Sequence, residues 1–234
     1  MPRTWKAVAL LLATCLLIFA EDPSWKNKPM LQWDAEDAKQ VLTDSPWAKS
    51  VTPQWVRDLS PDERRDSGDL EADQGKGLGL DGLIGIIDPA RAAEAVARAH
   101  AKPDPGTVLI RWESARPVRS AEQRFPDAET AALESDDFYA IVVYNIATPK
   151  RWHIEGELRG IAFLKRDKKK GLKPSRVVIH RKAGDLATVV YLFPRSVEIT
   201  KRDGNLVFQA QIGRLVVTRI FNTYEMQLGD QLEL

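Results

Sequence analysis

The chain reads as a mainly β protein with helix at its margins (α+β only there). It is expected to form an antiparallel β-sandwich or open barrel, preceded by a Trp-rich helical arm and a Gly-rich linker. Three observations predict this. Leu206, Phe208, Ala210 and Ile212 alternate with Val207, Gln209 and Gln211, a period of two that buries one face of a strand. The run from Phe138 to Ile146 is dense in aromatic and β-branched residues, which suit a pleated surface. No segment of crossover length separates the later strands, so a parallel α/β sheet is disfavoured.

Residues 1–20, MPRTWKAVALLLATCLLIFA, have the layout of a secretory signal peptide: Arg3 and Lys6, then an apolar run from Ala7, then Ala20 before the polar Glu21-Asp22-Pro23. The run is shorter than the roughly 20 residues a membrane-crossing helix needs, so cleavage is expected over an uncleaved anchor. Lipidation at Cys15 is the other alternative, but Cys15 sits inside the apolar run. The whole chain has 234 residues, 34 basic against 33 acidic, and one cysteine. Losing the leader would take away Arg3, Lys6 and that cysteine, leaving 32 basic against 33 acidic residues. A near-neutral chain argues against a general nucleic-acid binder, and a single cysteine against a disulfide framework. No later segment reaches membrane length, so no transmembrane span is expected after cleavage.

Residues 21–58 form the arm, with Trp25, Trp33, Trp47 and Trp55, four of the seven tryptophans. Asp34 is placed as a helix N-cap, with Asp37 three residues on and Ala35, Ala38, Val41 and Leu42 following. The helix should stop near Asp44-Ser45-Pro46, because a residue before proline disfavours the α region. The tryptophans could serve as a ligand or carbohydrate platform. The favoured expectation is that they pin the arm to the main domain, since aromatics bury much area per residue.

Residues 59–105 read as a charged and Gly-rich linker with short helices. Ser60-Pro61-Asp62-Glu63 has capping-box spacing, and Pro89 to His100 suits a helix. Gly77, Gly79 and Gly82 match G-x-G-x-x-G, but the polar residues 66–74 before them give no strand, so no dinucleotide site is expected.

Residues 106–234 are expected to be the β-rich core. Strands are placed at Thr107–Trp112, Phe138–Ile146, Arg176–Arg181, Thr188–Phe193 and Leu206–Ile212. Ser120 to Ser135 is expected to be helical, with a break near Pro126 and a second piece opening at Asp127. Leu158 to Lys165 fits either period. Gly213-Arg214 suits a two-residue turn with glycine first, returning through Leu215, Val217 and Phe221, with Arg219 interrupting the alternation. Leu228 to Leu234 is expected to be one more strand.

A resemblance runs through Trp33-Asp34-Ala35-Glu36-Asp37, the stretch Val41 to Ala48, Val108 to Val118, Tyr191 to Ser196 and Ile212 to Leu234. Together these resemble an uncharacterised exported bacterial family typical of acidobacteria, labelled GWxTD domain-containing, although the string Gly-Trp-x-Thr-Asp is absent here. The resemblance implies export and a variable, Gly-rich insertion between arm and core. It carries no activity and no site residue.

The chemistry-bearing residues do not assemble into a motif. His100, His153 and His180 have no metal-ligand spacing, and His153 with Glu155 makes at most a half-site. Asp136-Asp137 is read as a helix end rather than an acid pair. Lys165-Arg166-Asp167-Lys168-Lys169-Lys170, with Lys173, is read as a solvated hairpin tip in preference to a contact for anionic lipid or polymer. No catalytic, cofactor-binding or metal residue is therefore assigned, and no cofactor. The expected function is a non-enzymatic binding or structural module of the cell envelope, periplasmic or extracellular, with an envelope protein or polymer as partner. The alternative is an envelope-polymer hydrolase whose carboxylates meet only in the fold.

Overall fold

The computed structural model describes residues 22–56, 104–126, 128–131, 136–147, 155–167, 169–182 and 186–234. Among these are twelve strands, all paired antiparallel. The first five-stranded sheet runs, in spatial order, β1 (Ala48–Val51), β3 (Val108–Trp112), β4 (Phe138–Ala147), β8 (Leu186–Pro194) and β7 (Arg176–Arg181). The second runs β2 (Gln54–Trp55), β10 (Leu215–Asn222), β9 (Asn205–Ile212), β5 (Ala162–Arg166) and β6 (Lys169–Leu172). Their inner faces share one core, in which Ile110, Ile141, Val189 and Tyr191 of the first sheet join Leu164, Phe208, Ala210 and Val217 of the second. The architecture is thus the sandwich rather than a barrel.

The chain closes both sides of the sandwich itself. β1 and β2 are edge strands of opposite sheets, joined only by Thr52-Pro53. On the other side β6 and β7, again edges of opposite sheets, are joined by Lys173-Pro174-Ser175. Both prolines are buried. A residue without an N–H suits a corner where one ladder stops and another starts.

The arm is built as the sequence suggests and contributes more than a strap. Helix α1 (Ala35–Thr43) is capped by Asp34, which accepts from the N–H groups of Glu36 (3.0 Å) and Asp37 (2.9 Å), while Asp37 accepts from the Asp34 N–H at 3.2 Å. Trp25, Trp33 and Trp47 are buried, with Trp25 edge-on to Trp33 at 6.3 Å and to Trp47 at 5.5 Å. Trp33 donates to the Trp25 carbonyl (3.0 Å) and Trp47 to the Glu233 carbonyl (2.8 Å). Beyond pinning, the arm supplies one edge strand to each sheet.

Four local readings are refined. Helix α2 runs Arg116–Arg124, earlier than the expected Ser120 start, because Pro117 favours the first helical turn and Pro126 stops the last. The second helical piece is not formed at residues 128–131, where the Glu129 carbonyl and the Ala131 N–H bond instead to the side chains of Arg111 and Glu113, and residues 127 and 132–135 lie outside the described residues. The ambiguous Leu158–Lys165 stretch splits into helix α3 (Glu155–Gly160) and β5. The expected last strand is a two-rung ribbon of β11 (Gln227–Leu228) and β12 (Gln231–Leu232), turned at Gly229 with φ 58°. The Gly213-Arg214 turn is as expected, with Gly213 at φ 59° and Ile212 opposite Leu215. No helix among the described residues is long and apolar enough to cross a membrane.

Candidate functional site

The outer face of the first sheet carries a closed cluster of charges. In β3, Ile110 and Trp112 point into the core, so strand alternation turns Arg111 outward. There Arg111 grips Glu113 with two bonds, Nε to Oε2 at 2.6 Å and Nη2 to Oε1 at 2.8 Å. The same guanidinium donates to Tyr144 Oη of β4 (2.6 Å), Glu122 Oε1 of α2 (3.1 Å) and the Glu129 carbonyl (2.8 Å). Tyr144 donates in turn to Glu113 at 2.5 Å, and the Ala131 N–H donates to Glu113 at 3.0 Å. Arg111 and Glu113 are each 1% exposed.

Burial opposes charge on both partners, yet their mutual attraction wins. The Arg111 guanidinium is held above its ordinary range by Glu113, and the Glu113 carboxyl below its own by Arg111. Glu122 takes the opposite course: burial, with the negative charge of Glu113 beside it, pushes its carboxyl up to about 8. The rise favours the protonated form of Glu122. Burial also pushes the Tyr144 phenol up, so it stays a donor.

Two carboxyls with separated affinities are the raw material of acid–base catalysis. Here, however, both are bound by the same Arg111 nitrogen, Nη2, with Glu113 at 2.8 Å and Glu122 at 3.1 Å, whereas a glycosidase pair flanks its bond across roughly 5–10 Å. The cluster holds residues 128–131 against the sheet. Glu129 reinforces this by accepting from Thr188 Oγ1 of β8 (2.6 Å) and pairing with Lys182. Lys182 also reaches Asn145 (2.9 Å), which sits at φ 57° where the β4–β8 register shifts. Asparagine is among the few residues that tolerate that backbone region.

An open groove of about 1030 Å³ lies between α2, the loop after β8 and the C-terminal ribbon. Its rim carries Arg116, Arg119, Arg195 and Lys201 above Tyr139, Ile199 and Leu232. Each cation is tethered: Arg116 to Glu233 (Nε–Oε2 2.6 Å), Arg119 to Asp136 (2.6 Å), Arg195 to the Leu234 backbone oxygen (2.6 Å), and Lys201 to the Asp230 carbonyl. Arg195 also lies 4.4 Å from the Tyr139 ring centroid. The donors are thereby aimed and held, and Ser114, Ser120 and Thr200 add hydroxyls.

The residues singled out from the sequence are not brought together. Residues 1–21 and 57–103, with the leader-like run, the glycine motif and His100, lie outside the described residues, as does His153. His180 is exposed on β7. Asp136-Asp137 forms the turn before β4. The basic run does flank a hairpin tip, but one of its cations turns inward and an exposed one reaches a buried acid. Arg166 is buried, and Lys169 pairs at 2.8 Å with the buried Asp203, which it and Thr200 hold below the usual carboxylate range against the pull of burial. Among the described residues no three His, Cys, Asp or Glu side chains gather as metal ligands. Sequence reasoning missed the Arg111 cluster. The available signal was Arg111 and Glu113 at strand spacing inside an apolar run. Comparison with family models, curated proteins and solved structures finds no match.

Proposed function

We propose that this is an exported, non-enzymatic binding module of the cell envelope, presenting the α2–ribbon groove to an envelope protein or polymer. The observation that supports this reading is the groove itself. Four cations tethered in fixed positions on a rigid sandwich, over an aromatic and aliphatic floor, make a pre-organised surface for an extended partner with acceptor groups. The leader-like residues 1–20 and the resemblance to an exported family support the location. The hydrolase reading gains nothing from Glu113 and Glu122, which are both bound to Arg111.

The test is photo-crosslinking of the full chain in an envelope-bearing bacterial host. The crosslinker is placed at Gln123 on the groove rim and, as control, at Thr218 on the opposite sheet. The expected result is a chain cleaved after Ala20 in the exported fraction, with a recurrent adduct from Gln123 and none from Thr218. Retention of the leader in the cytosol would overturn the location, and equal adducts from both positions would overturn the groove.

A further inference from the structure

The near-neutral total charge hides a strong asymmetry. Residues 165–182 hold nine Lys and Arg and a single acid, Asp167, out of the 34 basic and 33 acidic residues of the chain. The other residues therefore carry 25 basic against 32 acidic groups. The topology gathers this segment on one flank of the sandwich, because β6 and β7 are edges of opposite sheets joined by Lys173-Pro174-Ser175. Lys168 lies outside the described residues.

Part of the run holds the flank in shape. The Arg166 guanidinium closes the hairpin tip by donating to the Lys170 carbonyl, from Nε at 3.1 Å and Nη2 at 2.8 Å. Lys169 reaches back to Asp203, and Lys182 is tied to Asn145 and Glu129. Lys165, Lys170 and Lys173 are left exposed, and among the described residues they form no ion pair.

The same strands bring apolar side chains beside these lysines. Leu164 and Leu172 face each other across the β5–β6 ladder and are buried, so Phe163 and Lys173 flank that pair at adjoining outward positions. The register shift between Leu164 and Arg166 places Lys170 and Gly171 across from the outward Lys165. Phe163 is 36% exposed and Ile161, two positions earlier, 43%. Lysine is a hydrated point charge on a flexible stem, which suits a plane of phosphates without a fixed geometry. Aromatic and aliphatic side chains among lysines suit the boundary between headgroups and acyl chains. A soluble polyanion would engage the cations but offer nothing to Phe163 and Ile161. We propose that this flank docks the protein on an anionic phospholipid surface, with Lys165, Lys170 and Lys173 at the headgroup phosphates and Phe163 and Ile161 at the acyl boundary. The docking uses no residue of the α2–ribbon groove.

The test is co-sedimentation of the full chain, as recovered from the expressing host, with vesicles. One set is phosphatidylcholine alone, and the other is phosphatidylcholine and phosphatidylglycerol in equal parts. Binding should require phosphatidylglycerol and should fall steeply at about 1 M salt, where the Debye length shrinks to about 3 Å. Each lysine at such a surface contributes about fivefold to partitioning, so the triple variant Lys165→Gln/Lys170→Gln/Lys173→Gln should lose roughly a hundredfold. The control triple Lys26→Gln/Lys39→Gln/Lys49→Gln removes the same charge from exposed positions of the arm and should lose little. Phe163→Ser should weaken vesicle binding severalfold and leave binding to dextran sulfate, a polyanion without an apolar phase, unchanged. Melting curves check each variant, and Ile161→Ser replaces Phe163→Ser if the latter fails to fold. A lipid adduct at Thr218, on the same face, would carry neither protein nor polymer, so the groove and the lipid surface are read separately. Equal binding to phosphatidylcholine alone, equal losses in the two triple variants, or unchanged vesicle binding in the folded serine variant would overturn the proposal.

Discussion

The two sheets of this sandwich share a core but treat their outer faces differently. The central strands of the first sheet are covered on both sides: all of Tyr139 to Tyr144 in β4 and Ala187 to Phe193 in β8 are buried. Ala131, whose N–H is held by Glu113 of the Arg111 cluster, packs over Ala140, Val142, Tyr144, Val190 and Leu192. The second sheet alternates instead. In β5 the buried Ala162, Leu164 and Arg166 are separated by the exposed Phe163 and Lys165, and β9 and β10 follow the same period. The difference teaches that a buried ion cluster here works as a fastener. It gives an irregular segment enough directed bonds to replace the helix its sequence would otherwise form.

The largest effect should come from breaking that fastener. Arg111→Met leaves Glu113 buried with no counter-charge, a situation that typically costs about 3–5 kcal/mol. Urea denaturation should show a loss of that order. The double variant Arg111→Met/Glu113→Leu should recover a large part of it, since removing both partners avoids the orphaned charge. A loss below about 1 kcal/mol in the single variant would mean that packing, not the cluster, holds the covered face.

Glu122 sharpens the same comparison through pH. Its carboxyl titrates near its ordinary value when unfolded and near about 8 when folded, so between those values the folded state holds more protons. Stability attributable to Glu122 is therefore fully present below the unfolded value and is lost as pH rises toward 8. Glu113 works in the opposite sense, since its lowered affinity adds stability that is lost as pH falls. Glu122→Gln mimics the uncharged acid and keeps an acceptor for Arg111. It should match the parent at pH 5 and exceed it at pH 8 by on the order of 1–3 kcal/mol. Equal stability at both pH values would show that Glu122 is ionised throughout.

Tyr144→Phe is a gentler cut. It removes the relay between Arg111 and Glu113 and leaves the ring that sits 4.6 Å from the guanidinium. A loss of about 1–2 kcal/mol is expected by thermal or urea unfolding, because Glu113 keeps its bonds from Arg111 and Ala131.

How much of this contrast the sequence carries differs between the faces. The exposed face of the second sheet is written in the alternation at residues 206–212, and the covered face of the first in the unbroken run at residues 138–146. The cap at Asp34, the turn at Gly213 and the pinning tryptophans are local patterns and are equally legible. The path of residues 128–131 is not, because it depends on partners 15 or more positions away, Ala131 with Glu113 and Glu129 with Arg111 and Thr188.

The smallest effect belongs to the uncovered face. Ile220 is 53% exposed on β10, in the row that runs through Val207 to Lys165. Threonine keeps the β-branched shape that strands favour and replaces the ethyl arm with a hydroxyl. Little apolar area is buried at this site, so Ile220→Thr should change stability by less than about 0.5 kcal/mol in urea unfolding. The matching change on the covered face, Val142→Thr, puts a hydroxyl where Val142 is fully buried and should cost about 1–3 kcal/mol. The pair of values measures the comparison directly. If Ile220→Thr cost as much as Val142→Thr, the second sheet would have to be covered in solution, and the contrast between the faces would disappear.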